Sequence, residues 1–183
     1  MYNYSPSQYA QRARAKHVPI SSDQTLGHIT KLLKRYHPTY CVELWSAVWW
    51  WSYHIASTIS NRWWTLISFE CSYPSYHSAI QFLKEQQIHN SIVYFGNCLQ
   101  INPNILLKQP IDFLYIDAQK SSYFDFYLHF ASLLTQEATL VFDDVQRFAK
   151  KIWPIEQQMQ ALWRNCTFLA TDYNTDWLLI CRR

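Results

Sequence analysis

Short apolar runs recur between segments of helical periodicity, and this alternation constrains the fold more than any other feature of the chain. The runs are Tyr40–Leu44, 65–69, Ser91–Phe95, 113–116 and 139–142. Between them, residues 50–60 and 122–134 read as helical. So does the amphipathic segment 75–87, with Ala79, Ile80, Phe82 and Leu83 inward. An earlier helix, capped by Ser22 or Asp23, is expected to run to about Tyr36 with Leu26, Ile29, Leu32 and Leu33 on one face. Residues 6–16 read as a short basic helix, 17–20 as extended chain and 152–164 as a late helix. Residues 166–170 and 177–181 close the chain as two strands around the turn Asp172-Tyr173-Asn174-Thr175. Strand–helix alternation implies a parallel sheet covered on both faces. The expected architecture is therefore α/β: a seven-stranded, mostly parallel sheet with one antiparallel edge strand. A single domain spans 1–183, with a helical segment over 1–36 and the sheet-bearing core over 37–183.

Composition narrows the function classes. Hydrophobic residues make up 49% and charged residues 16%, which excludes a disordered chain. No apolar run reaches the roughly 18 residues of a membrane span. The opening Met-Tyr-Asn-Tyr-Ser-Pro lacks the features of a signal peptide. The five cysteines form no Cys-x-x-Cys pair and read as reduced, largely buried thiols, so the cytoplasm is the expected location. The seven histidines show no zinc-ligand spacing, and His54, His77 and His129 receive no role. A net charge of +3 does not demand nucleic acid, yet leaves an RNA substrate open. Arg12, Arg14 and Lys16 read as a solvated helix face rather than a phosphate-binding one.

The chemistry lies at the strand ends. Open parallel sheets bind ligands beyond the carboxyl ends of their strands. The run 113–116 ends in Asp117, with Lys120 and Tyr123 close behind, and the run 139–142 ends in Asp143 and Asp144. Three carboxylates on two strand ends are hard oxygen donors suited to one divalent cation, Mg, Mn or Ca. Such a cation would orient an acceptor oxygen and favour its oxyanion. Lys120 is a candidate general base or oxyanion holder. The plainer alternative is that Asp117 caps a helix while Asp143 and Asp144 face water. Glu70, at the end of the second run, stands where nucleoside sites carry an acid for the ribose hydroxyls. Glu43 is an acid inside a buried strand and needs a partner there.

In this order the motifs resemble class I S-adenosylmethionine (SAM)-dependent methyltransferases. The branch they resemble is the cation-dependent O-methyltransferases that act on catechols, caffeoyl-coenzyme A or a tRNA hydroxyuridine. The resemblance covers roughly 17–183. His-Val-Pro-Ile at 17–20 is similar to the family's entry segment. The stretch from Glu43 through Trp45, Ser46, Trp49 and Ser52 stands where the family has an acid and a glycine-rich cofactor turn. Gly96-Asn97-Cys98 stands where Gly-Asp-Ala is usual, near the adenine. Asp117-Ala-Gln-Lys120-Ser-Ser-Tyr123 matches the most specific motif, and Asp143-Asp144 replaces an Asp-Asn metal pair. The resemblance implies a Rossmann-like methyltransferase fold. It also implies SAM as cofactor, a divalent cation, a small-molecule or tRNA hydroxyl acceptor and a possible homodimer. Its cofactor contacts would be Glu43, Trp45, Ser46, Trp49, Ser52, Glu70, Gly96, Asn97, Cys98 and Asp117. Its catalytic residues would be Asp117 and Lys120. The alternative is a chain that keeps the fold, has lost catalysis and binds a partner or RNA.

The departures all concern glycine. Ordinary usage would place about 13 glycines in a chain of this length, whereas it holds two glycines and nine tryptophans. Trp45 and Trp49 occupy the glycine positions of the cofactor turn, where two indoles are expected to fill the pocket. Trp177 replaces the glycine of Asp-Gly-Leu, and Thr135-Gln136-Glu137-Ala138 replaces a Pro-Gly-Gly turn. A UGA codon specifies glycine in some genetic codes and tryptophan in others. Translation under the wrong code would produce this pattern, and UGG codons at 45, 49 and 177 would exclude it.

Overall fold

The computed structural model describes residues 11, 21–45, 50–59, 64–171 and 176–182. Apart from Gln11, the helix expected over 6–16, the extended segment 17–20, Ser46, Trp49 and the turn 172–175 lie outside the described residues.

Helix α1 spans Asp23–Tyr36. Its first turn is closed by Ser22, whose Oγ accepts from the Thr25 N–H at 3.1 Å. Leu26, Ile29 and Leu33 are buried on one face. It ends on His37, which takes the left-handed conformation that glycine usually supplies. Loss of the Ser22 cap in Ser22→Ala is expected to lower stability by about 1 kcal/mol, read as a reduced midpoint in urea.

The sheet then builds as expected. The strands are β1 (Tyr40–Leu44), β2 (Thr65–Glu70), β3 (Ser91–Phe95), β4 (Ile111–Ile116), β5 (Leu134–Phe142), β6 (Asn165–Thr171) and β7 (Asp176–Arg182). They lie in the order β3-β2-β1-β4-β5-β7-β6. The first five are mutually parallel, and β7 runs antiparallel to both β5 and β6, so β7 and β6 form one edge. The helices between strands are α2 (Trp50–Thr58), α3 (Tyr73–Glu85), α4 (Pro103–Leu106), α5 (Tyr123–Phe130) and α6 (Ala149–Leu162).

Strand side chains alternate between two apolar layers. Val42, Leu44, Phe69, Leu114, Ile116 and Phe142 pack with Tyr123, Phe126, Phe130, Ile155 and Met159 from α5 and α6. Cys41, Leu66, Phe113, Tyr115 and Val141 pack on the other face with Ile29, Trp50, Trp51, Ile55 and Phe82 from α1, α2 and α3. Each fully buried Leu, Ile or Phe contributes roughly 1.5–3 kcal/mol, and this two-sided burial holds the strand ends at one edge.

Two local expectations fail. Ile80, read as inward, is 40% exposed, because α3 starts at Tyr73 and turns Ala79, Phe82 and Leu83 to the sheet instead. The turn expected at 135–138 lies inside β5. Without proline or glycine to end the element, the chain runs on as a bulge. Pairing jumps from Ile111↔Leu134 to Phe113↔Thr139.

Candidate active site

Backbone hydrogen bonds carry the register one residue past the strand ends. Trp45 N–H donates to the Phe69 carbonyl at 2.9 Å, and Gly96 N–H to that of Glu70 at 2.8 Å. Asp117 N–H donates to the Leu44 carbonyl at 3.3 Å, and Asp143 N–H to that of Ile116 at 3.0 Å. Trp45, Glu70, Gly96, Asp117 and Asp143 therefore share the carboxyl edge of the parallel sheet.

A cleft of about 440 Å³ opens between these ends, walled by Trp45, Phe69, Cys98 and Phe126 and edged by Asn97 and Gln119. Its size falls within the range of small-molecule sites. Gly96 lines it with φ +140°, a conformation that admits glycine and strains other residues. Cys98 and Ala118 complete that wall. Asn97 caps the short turn after Gly96, its Oδ1 accepting from the Leu99 N–H at 3.0 Å. Glu70 does not line the cleft itself; it is buried, follows the lining residue Phe69 and precedes Cys71, and its Oε1 accepts from the Ser72 N–H at 2.7 Å. These features suit an adenosine: an apolar slot, an unhindered backbone turn and an acid between two lining residues.

Trp45 is a cleft residue, as its place in the sequence predicts. Its backbone has φ +76° and its side chain is 43% exposed. A tryptophan in the left-handed region is a true outlier. Among the described residues His37, Gln87 and Asp144 also take positive φ without being glycine. Trp177 differs, sitting within β7 opposite Ala170. Its cost is polar: the indole Nε1 is buried with no hydrogen-bond partner among the described residues.

Glu43 does not line the cleft. It is fully buried, and its Oε2 accepts from Ser52 Oγ at 2.5 Å and Ser68 Oγ at 2.6 Å. Ser52 is thus committed to Glu43. The second carboxylate oxygen, Oε1, is buried with no partner among the described residues. Burial pushes the Glu43 carboxyl up to about 7, against the two serine hydrogen bonds and with help from the charges of Asp117 and Glu70.

Asp117, Lys120, Tyr123 and Asp144 form one cluster beside the cleft. Lys120 Nζ lies 2.6 Å from Asp117 Oδ1 and 3.5 Å from Asp144 Oδ2. It also donates to Tyr123 Oη at 2.7 Å. The Tyr123 hydroxyl in turn donates to the Asp143 carbonyl at 2.9 Å, tying the start of α5 to the end of β5. Burial disfavours the Lys120 ammonium, but Asp117 first and Asp144 second outweigh it, so its pKa lies above the ordinary value.

The three carboxylates expected to share a cation lie near one another but are not directed at one point. Asp143 turns inward, where its Oδ2 accepts from the Tyr115 hydroxyl and its Oδ1 from the Asp144 N–H at 2.8 Å. Burial, with the charges of Asp117 and Asp144, pushes its carboxyl up to about 8. Asp117 and Asp144 are directed at Lys120. Among the described residues no group of three His, Cys, Asp or Glu side chains is placed to hold a metal ion. As arranged, the donors do not fit a divalent cation. Tyr115 was missed by sequence reasoning, although the signal existed. It lies two residues before Asp117 on the same strand face, diagonal to Asp143 through the pairing Tyr115↔Val141.

No family model matches the chain. Solved structures do. TomG of Streptomyces achromogenes, an O-methyltransferase involved in tomaymycin synthesis and solved with SAM, aligns with a TM-score of 0.85 and 17% identity over 100% of this chain and 91% of its own. The O-methyltransferase of Bacillus cereus, in complex with S-adenosylhomocysteine (SAH), gives 0.84 and 16% over 97% and 90%. A methyltransferase of Geobacter sulfurreducens gives 0.79 and 18% over 100% and 93%. At these identities the likeness establishes architecture, and the chain has the Rossmann-like fold of the SAM-dependent O-methyltransferases.

Proposed function

We propose that this chain transfers a methyl group from SAM to a hydroxyl acceptor. The observation that carries the reading is the convergence, at one sheet edge, of an apolar cleft lined by Gly96, of the strand-end acid Glu70 and of the Asp117–Lys120 pair. Glu70 is the group suited to the ribose hydroxyls of the donor. The turn Gly96-Asn97-Cys98 and the walls Phe69 and Phe126 suit its adenine. Asp117 and Lys120, beside the cleft, are the groups suited to the sulfonium and the acceptor.

The transfer is a displacement at carbon. The acceptor oxygen forms a bond to the methyl carbon as the carbon–sulfur bond breaks, and the electron pair of that bond neutralises the sulfonium. The products are a methyl ether and SAH, and the acceptor's proton passes to water. The task of the protein is positioning and electrostatic stabilisation of the attacking oxygen. Lys120 supplies the positive charge for that oxygen, and Asp117 fixes the lysine.

Calorimetric titration with SAH tests the reading, since the product binds without turnover. Glu70→Ala is expected to weaken SAH binding by more than tenfold, because a hydrogen bond to a charged group contributes about 1.5–3 kcal/mol. Its thermal melt should remain cooperative. Unchanged affinity would remove Glu70 from the site. Absence of SAH binding by the parent chain would favour a fold that binds a different partner.

A further inference from the structure

We propose that Cys166 and Cys181 form a redox-active dithiol, which a hydroperoxide converts into a disulfide that staples the β6–β7 edge of the sheet. The inference stands apart from the methyl-transfer reading, because neither thiol lines the cleft.

Strand register brings the two residues together. β6 and β7 run antiparallel, and Cys166 stands directly opposite Cys181. Opposed residues in an antiparallel pair have Cα atoms about 4.5–5.5 Å apart, within the roughly 4.4–6.8 Å that a disulfide spans. They also present their side chains on one face of the sheet. Here that face is the apolar layer beneath α5 and α6, where Cys181 is fully buried and Cys166 packs against the layer half-buried. The Cys166 thiol donates to the Met159 carbonyl at 3.5 Å and lies 4.0 Å from that of Trp163, so the end of α6 fixes its position. The remaining cysteines have no such arrangement. Cys41 is paired in register with Leu66 and Phe113, and Cys71 and Cys98 lie outside the strands.

The two thiols are unequal, which gives each a role. Cys166 is on β6, the outermost strand, and keeps part of its surface in solvent. A hydrogen bond from Cys181 lowers its pKa against its partial burial, while Cys181 is pushed upward by that same bond and by its own burial. The thiolate is the nucleophile in sulfur chemistry, so Cys166 attacks and Cys181 resolves. In the first step the Cys166 thiolate attacks one oxygen of hydrogen peroxide. A sulfur–oxygen bond forms, the oxygen–oxygen bond breaks, and the departing hydroxide takes up a proton as water. Cys166 is oxidised to the sulfenic acid as the peroxide is reduced. In the second step the Cys181 sulfur bonds to the Cys166 sulfur. The sulfur–oxygen bond breaks, and hydroxide leaves with the Cys181 proton as a second water. Two thiols and one peroxide become one disulfide and two waters.

The product restrains the edge that holds β5. β7 pairs with β5 through Leu140↔Cys181, and its Trp177 carbonyl accepts from the Val145 N–H at 2.9 Å. A bond from 166 to 181 closes the intervening chain into a loop and so restricts the unfolded state. The oxidised chain is expected to melt about 5 °C or more above the reduced one.

Mass spectrometry of the folded chain tests this. The chain is treated with stoichiometric hydrogen peroxide, its free thiols are alkylated, and it is cut on the amino side of aspartate. Asp172 and Asp176 lie between the two cysteines, so a disulfide joins two otherwise separate peptides. The expected result is a Cys166–Cys181 crosslink that dithiothreitol reverses, with the rise in Tm. Cys181→Ser should stop at the sulfenic acid, trapped on Cys166 by dimedone. Alkylation of both cysteines in the treated parent, or a crosslink that forms only in urea-unfolded chain, would overturn the inference. The parent arm requires no variant to fold. An oxidised chain that melts no higher than the reduced one would overturn the staple.

Discussion

Trp45→Gly is expected to relieve backbone strain and to tighten SAH binding in the same variant. The backbone at 45 has φ +76°, and it is pinned there by the hydrogen bond from its N–H to the Phe69 carbonyl. Non-glycine residues held in this region cost on the order of 1–3 kcal/mol. Glycine occupies it freely, although it gives more entropy to the unfolded chain, about 0.5–1 kcal/mol. The indole is 43% exposed, so removing it also forfeits the burial of the remainder, which works against the relief of strain. Because the two effects oppose each other, SAH affinity rather than Tm is the readout. The affinity gain is steric: the same indole forms a wall of the cleft, and its removal opens the turn to a ligand. SAH binding should tighten by tenfold or more, and adding Trp49→Gly tests the second glycine position of the same turn. Unchanged affinity would show that the indole at 45 does not obstruct the site.

That result bears directly on the coding sequence. The order of motifs calls for a glycine at 45, and the positive φ is an independent physical observation of the same need. At 177 the backbone is ordinary strand, and the sign of misfit is a buried indole N–H without a partner among the described residues. The codons at 45, 49 and 177 separate a substituted protein from one read under the wrong code.

The sheet was legible because buried parallel strands leave a strong signal: apolar runs that stop at a polar residue. Glu70, Asp117 and Asp143 each mark such an end, and their placement on one edge followed from strand order alone. Signals resting on glycine or proline were weaker, because the chain has so little glycine. The turn expected at 135–138 became part of β5 for this reason. The direction of a strand-end carboxylate was not legible at all. Asp117 and Asp143 look alike in the sequence, yet one faces Lys120 and the other the Tyr115 hydroxyl. Only the register between β4 and β5 separates them. The same limit applies to Lys120, whose role as base or as cation depends on whether carboxylates surround it.

Thermal stability is expected to decline as pH rises from about 4 to about 8, and Asp143→Asn is expected to remove much of that decline. Asp143 is buried against Tyr115, with Asp117 and Asp144 nearby, and its carboxyl is pushed up from 3.8 to about 8. Glu43, buried with Ser52 and Ser68, is pushed up from 4.5 to about 7. Both carboxyls move upward, so the folded chain holds protons that the unfolded chain has already released. The slope of unfolding free energy with pH follows the protons bound in the unfolded state minus those in the folded state, and here it is negative. The stabilisation is complete below the unfolded pKa values and is lost as pH passes through the folded ones. For Asp143 the loss amounts to several kcal/mol, since each tenfold change in proton affinity corresponds to about 1.4 kcal/mol. Asparagine never ionises. Its Oδ1 can keep the Asp144 N–H while its amide N–H donates to Tyr115 Oη. The variant should therefore melt close to the parent near pH 5 and several degrees above it near pH 9. Parallel Tm curves for parent and variant across that range would mean that Asp143 ionises in the folded chain as readily as in water, and that burial beside Asp117 and Asp144 does not hold the proton.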